Sequence, residues 1–309
     1  MNLKQVKFSL GVVINLLAAL TFGYFCFLGT NFYTLGDKGK SITLAVCITL
    51  LLIGTSLGAK LLKQTKSNFK SRFIWEIILL VLFTVLICCF TYYPFSHYFV
   101  VRAQKPTIQY KINKNITQAE KIYSDYETYV INRDKDYLRC LTDAVDNKKI
   151  APSVYKAFGF NDASGVPPTT QLNIKHNTLI PLLKPTNFNA MRINDSIWLA
   201  KAKESIINWE PISLVDVINN IESNTTKSVS KLISISKNKA TNETRLIFNP
   251  NLQTLNNVNK YFEIRVTPSP FSIVLAFISY LLMLLSWFIT KRDSRSTGAL
   301  TTAEYEIVL

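Results

Sequence analysis

Residues 271–290, FSIVLAFISYLLMLLSWFIT, run for twenty positions without a charge, and this stretch restricts the fold more than any other. At about 1.5 Å of helical rise per residue, such a run matches the roughly 30 Å hydrocarbon core of a bilayer. The flanks agree with a membrane span. Pro268 and Pro270 block helix continuation on the entry side, while Trp287 and Phe288 precede Lys291, Arg292 and Arg295 on the exit side, an interfacial belt followed by a basic stop. Because the segment lies late in the chain, it turns the long polar region before it into a loop tethered at both ends.

Three further apolar blocks precede that region. Residues 8–36 carry no charge, and the run is too long for a cleaved signal peptide, so a retained first span is expected at about 8–28. A second is expected at 41–62 and a third at 73–92, with Glu76 near enough to the interface to be wetted. Tyr92, Tyr93, Phe95, Tyr98 and Phe99 then form an aromatic exit. The segment from Lys60 to Arg72 holds five positive residues and no acid. By the positive-inside rule this loop, the N-terminus and the C-terminal tail face the cytoplasm, which four spans satisfy. Asn15, a lone amide inside the first span, is expected to bond a neighbouring helix; Gly54 and Gly58 have the small-xxx-small spacing that lets helix backbones approach.

The expected class is therefore a mainly α membrane protein: four transmembrane helices with an α+β extracytoplasmic domain between the third and fourth. Residues 1–100 are the three-span region, 101–267 the extracytoplasmic domain, and 268–309 the fourth span with a short cytoplasmic tail. Within the domain, 107–112 alternates Ile108, Tyr110 and Ile112 with polar residues, and 261–266 does the same with Phe262, Ile264 and Val266. The two predict an antiparallel pair, with 243–248 as a third strand. Ala119, Ile122, Tyr123, Tyr126, Val130, Tyr137, Leu141 and Val145 follow a helical stripe, which the polar run 132–136 is expected to break. Further helices are expected over 195–209 and from Ser213 onward.

Charge and cysteine content narrow the function. The formal net charge is +15, but the polar region holds 23 basic and 15 acidic residues with no dense run, so nucleic acid is not the expected partner. Cys26, Cys47, Cys88 and Cys89 sit in apolar blocks and leave Cys140 alone in the polar region, which has to stand without an internal disulfide. The two histidines, His97 and His176, are far apart in sequence, and no metal or cofactor site is expected. Asp134 and Asp136 among Arg133, Lys135 and Arg139 read as a solvated helix face, Cys140 with His176 has only coexistence in its favour, and no glycine-rich phosphate loop occurs. No catalytic residue is assigned. Trp198 and Trp209 are interface candidates, because aromatics are favoured anchors, alongside Gly54 and Gly58 in the membrane.

Four spans with the large loop between the last two is the layout of tetraspanins, whose Cys-Cys-Gly motif is absent here: Cys88 and Cys89 are followed by Phe90. The clustered spans, the disulfide-free polar domain and the closing TPSPFSIVLAF…WFITKR resemble the TssN-type inner-membrane subunit of type VI secretion machines. That resemblance implies a non-enzymatic part of an envelope-spanning complex in a bacterial inner membrane, with residues 101–267 periplasmic. The expected function is thus a scaffold that docks other envelope proteins as a homo- or hetero-oligomer in the lipid bilayer. A membrane sensor binding a ligand through the extracytoplasmic domain is the alternative, and a transporter subunit the third reading.

Overall fold

The computed structural model describes residues 10–64, 69–243, 247–250, 258–263 and 268–292. The chain divides into two compact units, Met1–Pro106 with Asn259–Leu309, and Thr107–Val258. The first contains four helices long and apolar enough to cross a membrane, Leu10–Tyr33, Lys38–Gln64, Lys70–Ala103 and Pro270–Ile289. The protein is a multi-pass membrane protein.

In this unit α1 (Leu10–Tyr33) is central, packing against α2 (Lys38–Gln64) and α11 (Pro270–Ile289). It gets close because it carries glycine where its neighbours press hardest. A methyl group on Gly23 would overlap the Thr49 hydroxyl, and one on Gly29 would overlap the Pro94 carbonyl. The third apolar helix does not stop at residue 92. From α3 (Phe69–Phe90) it passes through a π-helical turn, Thr91–Phe95, into α4 (Ser96–Ala103). Pro94 sits in that turn, where it has no N–H to give and its ring would crowd a regular α ladder; the wider π turn accommodates it. Of the aromatics expected at a membrane exit, Tyr92 and Tyr93 are exposed and the other three are internal: Phe95 stacks on Phe22 with ring centroids 4.4 Å apart, and Tyr98 and Phe99 pack on Phe25. Prolonging the helix by two turns carries these rings onto α1.

The Thr107–Val258 unit is helical as well, which corrects the expectation of an α+β domain. Among the described residues there is no strand. Residues 107–112 lie in α5 (Lys105–Asp146), 42 residues long, with Pro106 tolerated in its first turn. The alternation was ambiguous between two periods, and the longer register decides it. Ile108 and Ile112 are the first members of a buried stripe that continues through Ile116, Ala119, Tyr123, Tyr126, Val130, Tyr137 and Leu141, whereas Tyr110 is 66% exposed. Nor do residues 132–136 break the helix, since Arg133 is itself buried on the stripe. Glu243 and Phe248 are in irregular chain and residues 244–246 lie outside the described residues; Tyr261 ends a 3-10 turn, Val258–Tyr261, and 264–266 also lie outside. The remaining helices are α6 (Pro152–Ala157), α7 (Pro168–His176), α8 (Leu179–Leu183), α9 (Phe188–Ile207) and α10 (Pro211–Ser236). The last two form a hairpin whose apolar side chains, among them Leu199, Ile206, Leu214, Ile218 and Ile221, face inward.

Candidate functional site

Polar groups inside the membrane unit hold helices to one another. The Asn15 amide donates to Ser56 Oγ of α2 at 3.0 Å and to the Met283 carbonyl of α11, tying three helices at one point. Toward the other end Ser96 and Ser272 hydroxyls meet at 2.8 Å, and His97 Nε2 donates to the Phe262 carbonyl at 3.1 Å. Glu76 is not wetted as its position suggested. It is 1% exposed, and its carboxylate accepts from Arg292 at 2.7 and 2.9 Å and from Trp287 Nε1 at 2.9 Å. Lys63 donates to the Trp287 carbonyl at 2.8 Å and stands 4.1 Å over the indole ring. A buried carboxylate next to lipid requires such partners, because solvation is not at hand to offset the charge.

In the Thr107–Val258 unit the strongest polar node is Arg133. Its five N–H groups all find acceptors: both Glu243 carboxylate oxygens (Nη2 to Oε2 at 2.9 Å), Tyr129 Oη at 2.6 Å, and the Ser236 and Asn238 carbonyls at 2.7 and 2.6 Å. Burial alone works to lower the guanidinium pKa, but the hydrogen bonds with Glu243 and Tyr129 outweigh it and hold the group above its ordinary value. The node therefore closes the C-terminal end of α10 and the chain after it onto α5. Sequence reasoning placed Arg133 on a solvated face, although 126, 130, 133, 137 and 141 already formed one stripe at three- and four-residue spacing. Its neighbour Asp136 does face solvent with Arg139, and Asp134 lies 2.9 Å from His176 Nε2, so the nearest acid to that histidine is on α5.

A second node is centred on Asp195 of α9. Tyr123 from α5 and Ser228 from α10 both donate to its Oδ2 at 2.6 Å, while Trp198 Nε1 donates to Oδ1 at 3.2 Å. Burial, and then the bond to this carboxylate, push the Tyr123 phenol well above its ordinary pKa, so it remains a donor. Beside the node a cleft of about 220 Å³ runs between α9 and α10. Trp198, Lys201, Ala202 and Ser205 line it from α9, and Ser213, Asp216, Val217, Asn220 and Asn224 from α10.

The four residues singled out from sequence separate accordingly. Trp198 is half-buried at the cleft. Trp209 is 8% exposed, in the left-handed backbone region at φ 50 where α9 turns into α10, and so belongs to the core. A methyl group on Gly58 would press on Leu79 of α3, which makes this glycine a contact within the chain, while Gly54 faces open space. The glycines of closest approach, Gly23 and Gly29, lie on α1 and lack the four-residue spacing that drew attention to α2. Among the described residues no three His, Cys, Asp or Glu side chains converge to hold a metal. The chain matches no family model, and no curated protein and no solved structure is significantly similar to it.

Proposed function

We propose that this protein is a non-enzymatic scaffold of a cell envelope assembly, with its polar unit outside the cytoplasm as the docking element. The observation that carries the reading is an exposed apolar pattern on a unit whose buried charges, Arg133 and Glu243, are already paired with each other. Ile131 and Leu138 sit two turns apart on the outer face of α5, and Ile193 and Ile197 one turn apart on α9, each between 36 and 57% exposed. Apolar side chains repeating at helical spacing on an outward face suit a partner helix. By the positive-inside rule the basic loop 60–72 and both termini are cytoplasmic and the polar unit extracytoplasmic, in a bacterial inner membrane. A type VI secretion membrane complex is the assembly that the sequence resemblance favours.

Purification from native membranes in mild detergent should yield a large hetero-complex that Ile193→Asp with Ile197→Asp disrupts. A monodisperse monomer with no co-purifying protein overturns the reading. In a cysteine-free background, Asn187→Cys should react with an impermeant thiol reagent applied from outside and Ser67→Cys should not; the reverse result overturns the topology.

A further inference from the structure

Two helices of a hairpin ordinarily close on apolar side chains. Along one side of the α9–α10 seam they do not: Lys201 and Ser205 on one helix and Ser213, Asp216, Asn220 and Asn224 on the other line the same cleft, over a floor of Ala202 and Val217. Trp198 stands at its edge with its only polar atom engaged by Asp195, which Tyr123 and Ser228 in turn hold. The indole is thus fixed in orientation, half-buried, in the lining of the cleft. Asp216 supplies acceptors, the two asparagine amides both donors and acceptors, and Lys201 a donor.

The geometry points to a saccharide site in this cleft, taking one pyranose ring, free or at the end of a glycan. Three features select this ligand class. At about 220 Å³ the cleft is smaller than the roughly 300–1,000 Å³ of sites for drug-sized molecules, which suits a single ring. Its carboxylate and planar amides match adjacent hydroxyls that each donate and accept. The locked indole matches the C–H face that a pyranose presents between its hydroxyls, an amphipathic pairing for which tryptophan is suited. An acyl chain would set methylenes against a polar lining, and a free amino acid would use Lys201 and Asp216 but not the ring.

The test uses the full chain in lipid nanodiscs prepared without glycoside detergent. Saturation-transfer NMR is recorded with glucose, galactose, N-acetylglucosamine and glucuronic acid, with a tetramer of N-acetylglucosamine as the polymer arm and with glycine and glutamate as the zwitterionic arm. At least one sugar should bind with a Kd of about 1 mM or tighter, the strongest transfer falling on its ring protons. Trp198→Ala should weaken that sugar by about tenfold or more, Trp198→Phe by less, and Asn220→Ala, at an exposed position, by about threefold with an unchanged melting temperature. Stronger binding of the tetramer than of the monomer assigns the site to a glycan chain, and equal binding to a free sugar. The inference is overturned if no saccharide shows transfer at about 10 mM, if only the amino acids bind, or if sugar binding survives both Trp198→Ala and Asn220→Ala.

Discussion

In the membrane unit α1 meets its neighbours at glycines as well as through rings, whereas in the Thr107–Val258 unit α5 carries no glycine and meets its neighbours through aromatic rings and ion pairs, of which Arg133–Glu243 is buried. The difference follows from the solvent each is built for. Lipid tails are as apolar as leucine, so burying Leu17, Leu20, Leu50 or Val81 would gain nothing, and these side chains stay on the outside. What remains to hold spans together is close backbone approach at Gly23 and Gly29, ring stacking such as Phe22 on Phe95, and a few polar contacts such as those of Asn15 and Glu76. In the polar unit an apolar stripe has water to escape. Tyr126 is buried among Tyr129, Phe188 and Phe248, its phenol donating to the Leu183 carbonyl at 2.9 Å.

The largest effect is expected where the polar unit departs from this logic and buries charge. Arg133 and Glu243 have side chains 2% and 3% exposed. Arg133→Met leaves the carboxylate with the Ala240 N–H alone and takes the guanidinium donors from two carbonyls, and should destabilise the unit by about 3–5 kcal/mol. Adding Glu243→Leu should recover part of that loss, because it removes the unpaired charge while the two carbonyls, and the Ala240 N–H that donates to Glu243 at 2.9 Å, go without this node's partners. Hydrogen exchange of the α5 amides in the full chain measures both. If the double variant is no more stable than the single one, the node contributes more than mutual neutralisation, and the contrast between the two units has to be redrawn.

Within the membrane unit the contrast turns on two glycines. Gly29→Ala places a methyl group against the backbone carbonyl of Pro94, which cannot rotate away as a side chain can, so α1 must shift from the π turn. A loss of about 1–3 kcal/mol is expected, as for other overpacked sites, read as a lower unfolding midpoint in detergent. Gly54→Ala meets nothing and should leave the midpoint unchanged or slightly raised. Equal effects would mean that the four-residue spacing on α2, rather than the contacts of α1, governs the bundle.

These residues also show what was legible in the sequence. The four apolar helices announce themselves through length and lack of charge, because crossing lipid demands both. The partner of each polar group does not, since Asn15 meets Met283 and Arg133 meets Glu243 across separations that no local pattern encodes. At 107–112 six residues fit the period of a strand and of a helix alike, and the exposed Tyr110 separates the two only once the stripe is followed to Leu141. Trp198 stands out by residue type, but the polar seam beside it becomes a cleft only when α9 and α10 are folded together.

The smallest effect belongs to the same pairing chemistry in water. Lys148 donates to Asp162 Oδ1 at 2.7 Å, and the Tyr155 hydroxyl donates to the same oxygen at 2.9 Å. The Lys148 bond first, and the Tyr155 bond next, hold the Asp162 carboxyl below its ordinary value of 3.8. A depressed carboxyl adds stability that is fully present above its unfolded value and is lost as pH falls through the folded one. The turn around Asp162 should therefore open only in acid, below about pH 4, and Asp162→Asn should remove that dependence while leaving the turn's exchange rate at neutral pH only slightly faster. Added salt should weaken the effect by screening an exposed pair, yet leave the exchange of amides around the buried Arg133 unchanged. If salt moves both alike, Arg133 is reached by solvent, and the distinction between a charge that stitches a core and one that decorates a surface does not hold in this unit.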